Sequence, residues 1–187
     1  MTLSTEQGLV YWCAEGTILR GWALAAQGQD AEGIMQMCQG LATHQATGAE
    51  LVRPYLLPLL AETYAQGGRA DEGLRVLDKA LASVHTTGER WWEAEIHRLK
   101  GELLLALSAE KYAEAETCFH QARDSARRQE AKALELRAAM SLARLWQQQG
   151  KRAEARDLLA PIYGWFTEGF DTADLQEAKA LLDELRG

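Results

Sequence analysis

A short motif recurs four times along this chain and limits its fold more than any other feature does. The four copies cover residues 28–34, 68–74, 110–116 and 150–156, so their starting points lie 40, 42 and 40 residues apart. In each copy the fifth residue is glutamate and the sixth is glycine or alanine. A repeat period of 20–50 residues is typical of folds in which similar units stack on one another.

A second set of breaks lies between the motifs, so that each repeat is split in two. Gly48 and Gly88 mark two of these breaks, and the third, at 128–131, lacks glycine. Between breaks, apolar residues recur at helical spacing among strong helix formers. The predicted helical windows are 9–27, 31–47, 50–66, 70–86, 89–107, 112–128, 131–149, 152–168 and 172–186. These windows predict an all-α, right-handed solenoid of four antiparallel helix hairpins followed by a capping helix.

We predict a single repeat domain over residues 1–187, because the chain has only three prolines and no linker-like stretch. The predicted hairpins cover residues 9–48, 49–88, 89–129 and 130–168, and the capping helix covers 172–186. A terminal repeat has no neighbour to bury its apolar face, which explains a final helix. Asp171 or Thr172 is expected to cap that helix. Pro58 predicts a kink or a late start in the third helix.

Small and large residues alternate at fixed places in each predicted hairpin. The small positions on the first helices are Gly21, Ala61, Gly101 and Ala143, followed three residues later by Leu24, Tyr64, Leu104 and Trp146. On the second helices Gly33, Gly73, Ala115 and Ala155 are followed four residues later by Met37, Leu77, Phe119 and Leu159. Over residues 9–168 this pattern resembles the tetratricopeptide repeat. The period is about 40 rather than 34 residues, and the usual closing proline is missing.

The long period and the closing stretch 165–185 narrow the resemblance. They are similar to the C-terminal repeat domains of large bacterial regulators that join a nucleotide cyclase or DNA-binding domain to an ATPase. The resemblance implies that this chain is the non-catalytic tail of such a protein. It carries over no catalytic residue, because none of the catalytic parts is present.

The net charge of the chain and the absence of known catalytic and binding motifs argue against several classes of function. The formal net charge of −7 argues against a nucleic-acid partner, which clustered cations would bind. No phosphate-binding loop, zinc-binding helix or nucleophile elbow occurs, so we expect no enzyme activity, catalytic residue, cofactor or metal. The three cysteines are widely spaced, and we interpret them as small apolar fillers in a reducing compartment. The sequence also shows no signal peptide and no membrane-spanning segment. We therefore predict a cytoplasmic protein without membrane contact.

In tetratricopeptide-like hairpins the first helices line a concave face, and the resemblance therefore implies a candidate groove. Its predicted residues are Tyr11, Glu15, Trp22, Tyr55, Glu62, Trp91, Glu95, Arg98, Glu102, Arg137 and Arg144. The groove would run from aromatic and acidic to basic, which suits a peptide or a partner helix. The alternative is that the tryptophans fill the core. The pairs Tyr11-Trp12 and Trp91-Trp92 lie at matching places in the first and third repeats.

The predicted function is a protein-interaction or scaffolding module that binds a protein, a peptide or other domains of its parent. Two alternatives stay open: a small-molecule sensor and a homodimerisation module. A deep pocket lined by Trp22, Trp91 and Glu102 would favour the sensor. Repeat scaffolds indicate how a partner is bound but do not identify it.

Overall fold

The computed structural model describes residues 9–186, and this range contains nine α-helices, one short 3-10 turn and no strand. The helices are α1 (Val10–Ala25), α2 (Asp30–Ala46), α3 (Arg53–Gln66), α4 (Ala70–Thr87), α5 (Glu93–Leu107), α6 (Tyr112–Arg128), α7 (Lys132–Gln148), α8 (Arg152–Tyr163) and α9 (Ala173–Glu184). The predicted all-helical hairpin repeat is confirmed. Each helix lies within or close to its predicted window.

Proline explains a late helix start in α3. Helix α3 begins at Arg53, three residues into its predicted window, with Pro54 in its first turn and Pro58 inside it. A proline in the first turn loses no intrahelical hydrogen bond, because those N–H groups have no partner there anyway. Helix α3 thus starts late, but Pro58 still lies inside it, and the kink named as the other outcome stays a prediction.

Contacts divide the chain into two compact units, residues 1–92 and residues 93–187. Within the described range, the first unit contains α1–α4 and the second contains α5–α9. The single continuous domain over 1–187 remains a prediction. In the second unit α9 packs against α7 and α8, and Leu175, Ala178 and Leu182 join the same apolar core as Leu159. This helix covers apolar surface of the last hairpin, as expected of a cap.

The small residues of the repeat pattern lie where two helices approach closely. A Cβ atom on Gly21 would come within 2.6 Å of the Gly33 carbonyl oxygen, and a Cβ on Gly101 would come within 2.5 Å of the Phe119 ring. The four large second-helix residues, Met37, Leu77, Phe119 and Leu159, are all 0% exposed. The repeat pattern therefore marks the centre of each hairpin.

Three local expectations need correction or completion. Cys38 is exposed rather than a core filler, whereas Cys118 is buried. Thr172 is the residue before α9, but its hydroxyl donates to the Gly169 carbonyl at 2.7 Å and does not cap the helix. At the break without glycine, Glu130 takes up the left-handed backbone conformation, with φ of 55°.

Candidate binding surfaces

Aromatic rings gather at the start and the end of the second hairpin, within the first unit. The Tyr55 ring stacks on Trp91 with centroids 5.6 Å apart and meets the Trp92 ring edge-on at 5.3 Å. The two tryptophan rings are 5.4 Å apart. Trp91 is still 45% exposed, so the stack does not close into a core.

Tyr11 belongs to a second pair of rings on α1, which Glu89 relates to the first group because its charge acts on Tyr11 and its carboxylate accepts the Trp91 indole N–H. The Tyr11 ring packs edge-on against Trp12 at 5.1 Å, and Trp12 is 58% exposed. A hydrogen bond with Glu15, together with burial and the negative charges of Glu15 and Glu89, raises the pKa of Tyr11 to about 12. The phenol therefore stays protonated at neutral pH. We call Tyr11, Trp12, Tyr55, Trp91 and Trp92 the aromatic patch.

Glu89 connects the patch to the backbone at the start of α3. Its carboxylate accepts the Val52 N–H at 3.1 Å and the Trp91 indole N–H at 3.4 Å. Val52 has φ of 59°, a conformation that is rare for a β-branched residue. The strained turn persists because the surrounding structure holds it, and Glu89 is one of the groups that do so.

The other two groove residues predicted in the first unit lie apart from these rings. Trp22 is 42% exposed on α1, and within residues 9–186 no ring contact joins it to the aromatic patch. Glu62 is half-buried on α3. The groove remains a prediction. Of its predicted residues in the first unit, Tyr11, Tyr55 and Trp91 belong to the aromatic patch.

In the second unit four of the predicted charged residues form one network between α5 and α7. Arg98 donates to both Glu95 oxygens, at 3.0 and 2.6 Å, and also to Glu102. Arg137 reaches Glu95 at 2.7 Å, and Ser141 donates to Glu102 at 2.8 Å. We call this set the buried ion network, because Glu95 is only 2% exposed.

The network neutralises its own charges. Burial alone would lower the pKa of Arg98, but the hydrogen bonds and charges of Glu95 and Glu102 outweigh it and hold that pKa above its ordinary value. Arg144, further along α7, pairs with Glu177 of α9 at 2.9 Å. The sequence therefore predicted that these charges share one face, but it did not show that they pair with one another.

Two negative findings concern other classes of site. Among the described residues, no group of three or more His, Cys, Asp or Glu side chains is placed to hold a metal ion. No helix in the range 9–186 has the length and apolar composition needed to cross a bilayer.

Comparison with solved structures gives the class of fold. A crystal structure of a Podosopora anserina putative kinesin light chain with nearly identical TPR-like repeats matches with TM-score 0.67 and 19% identity, covering 92% of each chain. A variant of that protein gives TM-score 0.68 and 18% identity over the same shares. BtubC (BKLC) from P. vanneervenii matches with TM-score 0.58 and 16% identity, covering 96% of this chain and 89% of that one.

The chain thus has the fold of tetratricopeptide-like repeat proteins. No family model matches the sequence. No curated protein matches it either. At such low identity the likeness concerns the fold, so function has to be argued from the residues of this chain.

Proposed function

We propose that this chain is a non-catalytic protein-interaction module that binds a partner segment through the aromatic patch. The observation that carries the proposal is the exposure of large rings that each contact a neighbouring ring: Trp12, beside Tyr11, is 58% exposed, and Trp91, beside Tyr55 and Trp92, is 45% exposed. Tryptophan and tyrosine dominate the energetics of protein interfaces, because rigid rings bury much area at little entropic cost. A prearranged group of such rings is suited to anchor a peptide or a helix.

The charges beside the rings favour a basic partner segment. Glu15 and Glu89 lie next to Tyr11, and Glu89 also holds the Trp91 indole. Lysine and arginine are attracted both to carboxylates and to the faces of aromatic rings. We therefore propose an extended or helical segment that presents apolar side chains together with one or more cations.

We further propose that the module works inside the cytoplasm as the repeat tail of a larger bacterial regulator. The closing stretch 165–185 carries this part of the proposal, together with three free cysteines that fit a reducing compartment. Binding to other domains of the parent protein would place the partner segment in the same polypeptide. Such a segment would show the same basic and apolar chemistry.

Selection from a displayed library of random 12-residue peptides tests the binding mode with no assumption about the sequence of the partner. We expect the wild-type chain to enrich peptides that combine aromatic or aliphatic residues with lysine or arginine. The Trp91→Ala variant should enrich none of them. Trp165→Ala is the matched control, because Trp165 is also exposed, at 58%, but belongs to the second unit. Enrichment of acidic peptides, or of the same peptides by the Trp91 variant, would contradict the proposal.

Self-association is the competing outcome for exposed rings. Sedimentation velocity over a wide concentration range separates the two cases. A monomer is expected for the isolated chain. A dimer that dissociates in Trp91→Ala would instead assign the aromatic patch to a contact between copies.

A further inference from the structure

A cavity of about 170 Å³ opens in the first unit between α2, α3 and α4. Apolar side chains form much of its wall, and polar groups lie among them. Its lining residues are Cys38, Leu41, His44, Gln45, Arg53, Leu57, Leu60, Val76 and Lys79. A wider cleft adjoins it, shares Arg53 and Lys79, and is also lined by Glu50, Ala82, Ser83 and Thr86. The two cations therefore line both the cavity and the cleft, and we call the whole region the cationic cleft.

Two buried polar atoms in the cationic cleft have no hydrogen-bond partner within residues 9–186. They are Nε2 of His44, a residue only 1% exposed, and Oγ of Ser83, a residue 8% exposed. A buried donor or acceptor left unsatisfied costs about 1–3 kcal/mol. Such atoms are rare in native proteins and call for a partner from outside the chain. His44 lines the cavity and Ser83 the adjoining cleft, each together with Arg53 and Lys79, and this arrangement points to a ligand.

The second unit provides an internal comparison, because its hairpins repeat the same pattern. The correspondence that matches Met37 with Phe119 also matches His44 with Ala126, which is 0% exposed. The same correspondence in the second hairpin matches His44 with Val84, also 0% exposed. An apolar side chain is therefore the usual occupant of this place, and the imidazole is the exception.

The comparison also shows what Arg53 lacks. Its counterpart in the second unit is Glu135, and the counterpart of Gln45 is Arg127. Arg127 and Glu135 form an ion pair at 2.6 Å that closes the equivalent junction. In the first unit an arginine replaces the glutamate, a neutral amide replaces the arginine, and Glu50 replaces Lys132, so the close ion pair of the second unit is missing. Arg53 reaches only the exposed Glu50, at 3.9 Å.

We propose that the cationic cleft binds a small organic carboxylate. The carboxylate lies between Arg53 and Lys79 and supplies the negative charge that the side chain of Glu135 supplies in the second unit. The apolar body of the ligand occupies the cavity against Leu57, Leu60 and Val76, and His44 contacts its inner edge. The volume of the cavity indicates the size of the ligand, because an engineered apolar cavity of about 150 Å³ holds a benzene molecule.

Benzoate is a suitable probe, because it joins a carboxylate to a ring of that size. We expect the full-length chain to bind it with a Kd at or below about 1 mM, a modest demand for a ligand of nine heavy atoms. Titration calorimetry measures the affinity. The imidazole resonances of His44 should move during an NMR titration, and those of Tyr11 should follow, because the two rings are 5.0 Å apart.

Two variants test the assignment of the residues. Arg53→Gln combined with Lys79→Gln should weaken benzoate binding at least tenfold, the effect of losing one charged hydrogen bond. His44→Ala places in the first unit the residue that the second unit has at that position, so it should fold normally and also lose affinity. Arg75→Gln, on the same helix as Lys79 but away from the cleft, is the control and should bind as the wild type does.

Neutral and purely ionic probes separate this proposal from two simpler ones. Toluene binding as tightly as benzoate would overturn the proposal, because the cations would then play no part. Inorganic phosphate binding as tightly as benzoate would overturn it too, since the cavity would then be irrelevant. Unchanged benzoate affinity in the Arg53/Lys79 variant, with the fold intact by circular dichroism, would also refute it. None of these results depends on whether the aromatic patch binds a peptide.

Discussion

At the scale of single residues, Glu130 stands where the repeat normally has glycine. Gly48 and Gly88 occupy the matching positions with φ of 77° and 76°, and Glu130 adopts φ of 55°. The left-handed conformation costs a residue with a side chain about 1–2 kcal/mol, and part of this is offset by the greater freedom of glycine in the unfolded chain. We expect Glu130→Gly to raise the free energy of unfolding by about 0.5–1 kcal/mol.

Urea denaturation measures that change, and Glu130→Ala is its control. Alanine removes the same exposed side chain without relieving the backbone. No gain is therefore expected from alanine. An equal gain from alanine and glycine would show that the glutamate side chain, rather than its conformation, is unfavourable.

Glu135 makes the stability of the second unit depend on pH. Burial would raise the pKa of its carboxyl, but hydrogen bonds from Lys132 and Arg127 outweigh burial and lower that pKa. A carboxyl with a lowered folded-state pKa stabilises the fold fully above its ordinary pKa of about 4.3, and this contribution is lost as the pH falls through the folded-state value.

Glu135→Gln should therefore unfold at lower urea concentration than the wild type at pH 7. The difference should shrink as the pH falls below about 4. Urea midpoints measured at several pH values test this. A difference that stays constant down to pH 3 would mean that ionisation of Glu135 does not contribute.

At the scale of helices, close approach within a hairpin depends on the absence of a side chain. Gly101 faces the ring of Phe119, which is 0% exposed and lies within 2.5 Å of the place a Cβ would take. Overpacking of this kind typically costs about 1–3 kcal/mol, so Gly101→Ala should destabilise the chain by that amount. Gly67→Ala is the matched control, because a Cβ there meets nothing closer than 3.6 Å and the φ of −78° suits alanine.

Thermal unfolding of both glycine variants measures these changes in stability. A loss for Gly101→Ala and no loss for Gly67→Ala is the predicted result. Equal losses would show that the approach of α5 and α6 is not what requires glycine. A fully tolerated Gly101→Ala would show that Phe119 can repack.

The buried ion network joins α5 to α7, and one residue holds most of it. Removing Glu95 leaves Arg137 without this carboxylate and leaves Arg98 with Glu102 alone, and breaking a buried ion pair typically costs up to about 3–5 kcal/mol. Glu95→Ala should therefore destabilise strongly in urea denaturation. Glu177→Ala breaks the exposed pair with Arg144 and should cost less than about 1 kcal/mol. Similar losses in the two variants would contradict the burial argument.

At the scale of the whole molecule, the sequence determined the helices better than the surfaces. Periodicity is a local property, so the places of Met37, Leu77, Phe119 and Leu159 at the hairpin centres were predictable from spacing alone. Side-chain pairing is not local. Nothing in the spacing of Glu95 and Arg137 shows that they meet and neutralise each other rather than face a partner.

The same distinction explains what was missed at the candidate sites. The matching Tyr11-Trp12 and Trp91-Trp92 pairs were visible in the sequence, but the role of Glu89 in holding both Val52 and Trp91 depends on a turn that no pattern encodes. The cationic cleft was missed because it arises from a difference between repeats. Arg53 stands where the second unit has Glu135, and only packing shows that the close ion pair of that unit is missing here.

The central claim is that the aromatic patch binds a partner segment that carries apolar and basic residues. It is tested most directly by the affinity of one selected peptide for three forms of the chain, measured by fluorescence anisotropy. We expect Trp91→Ala to bind at least tenfold more weakly than the wild type, as at an interface hot spot, and Trp165→Ala to bind equally well. Equal affinity of all three forms, or weakening by the Trp165 change instead, would contradict the account.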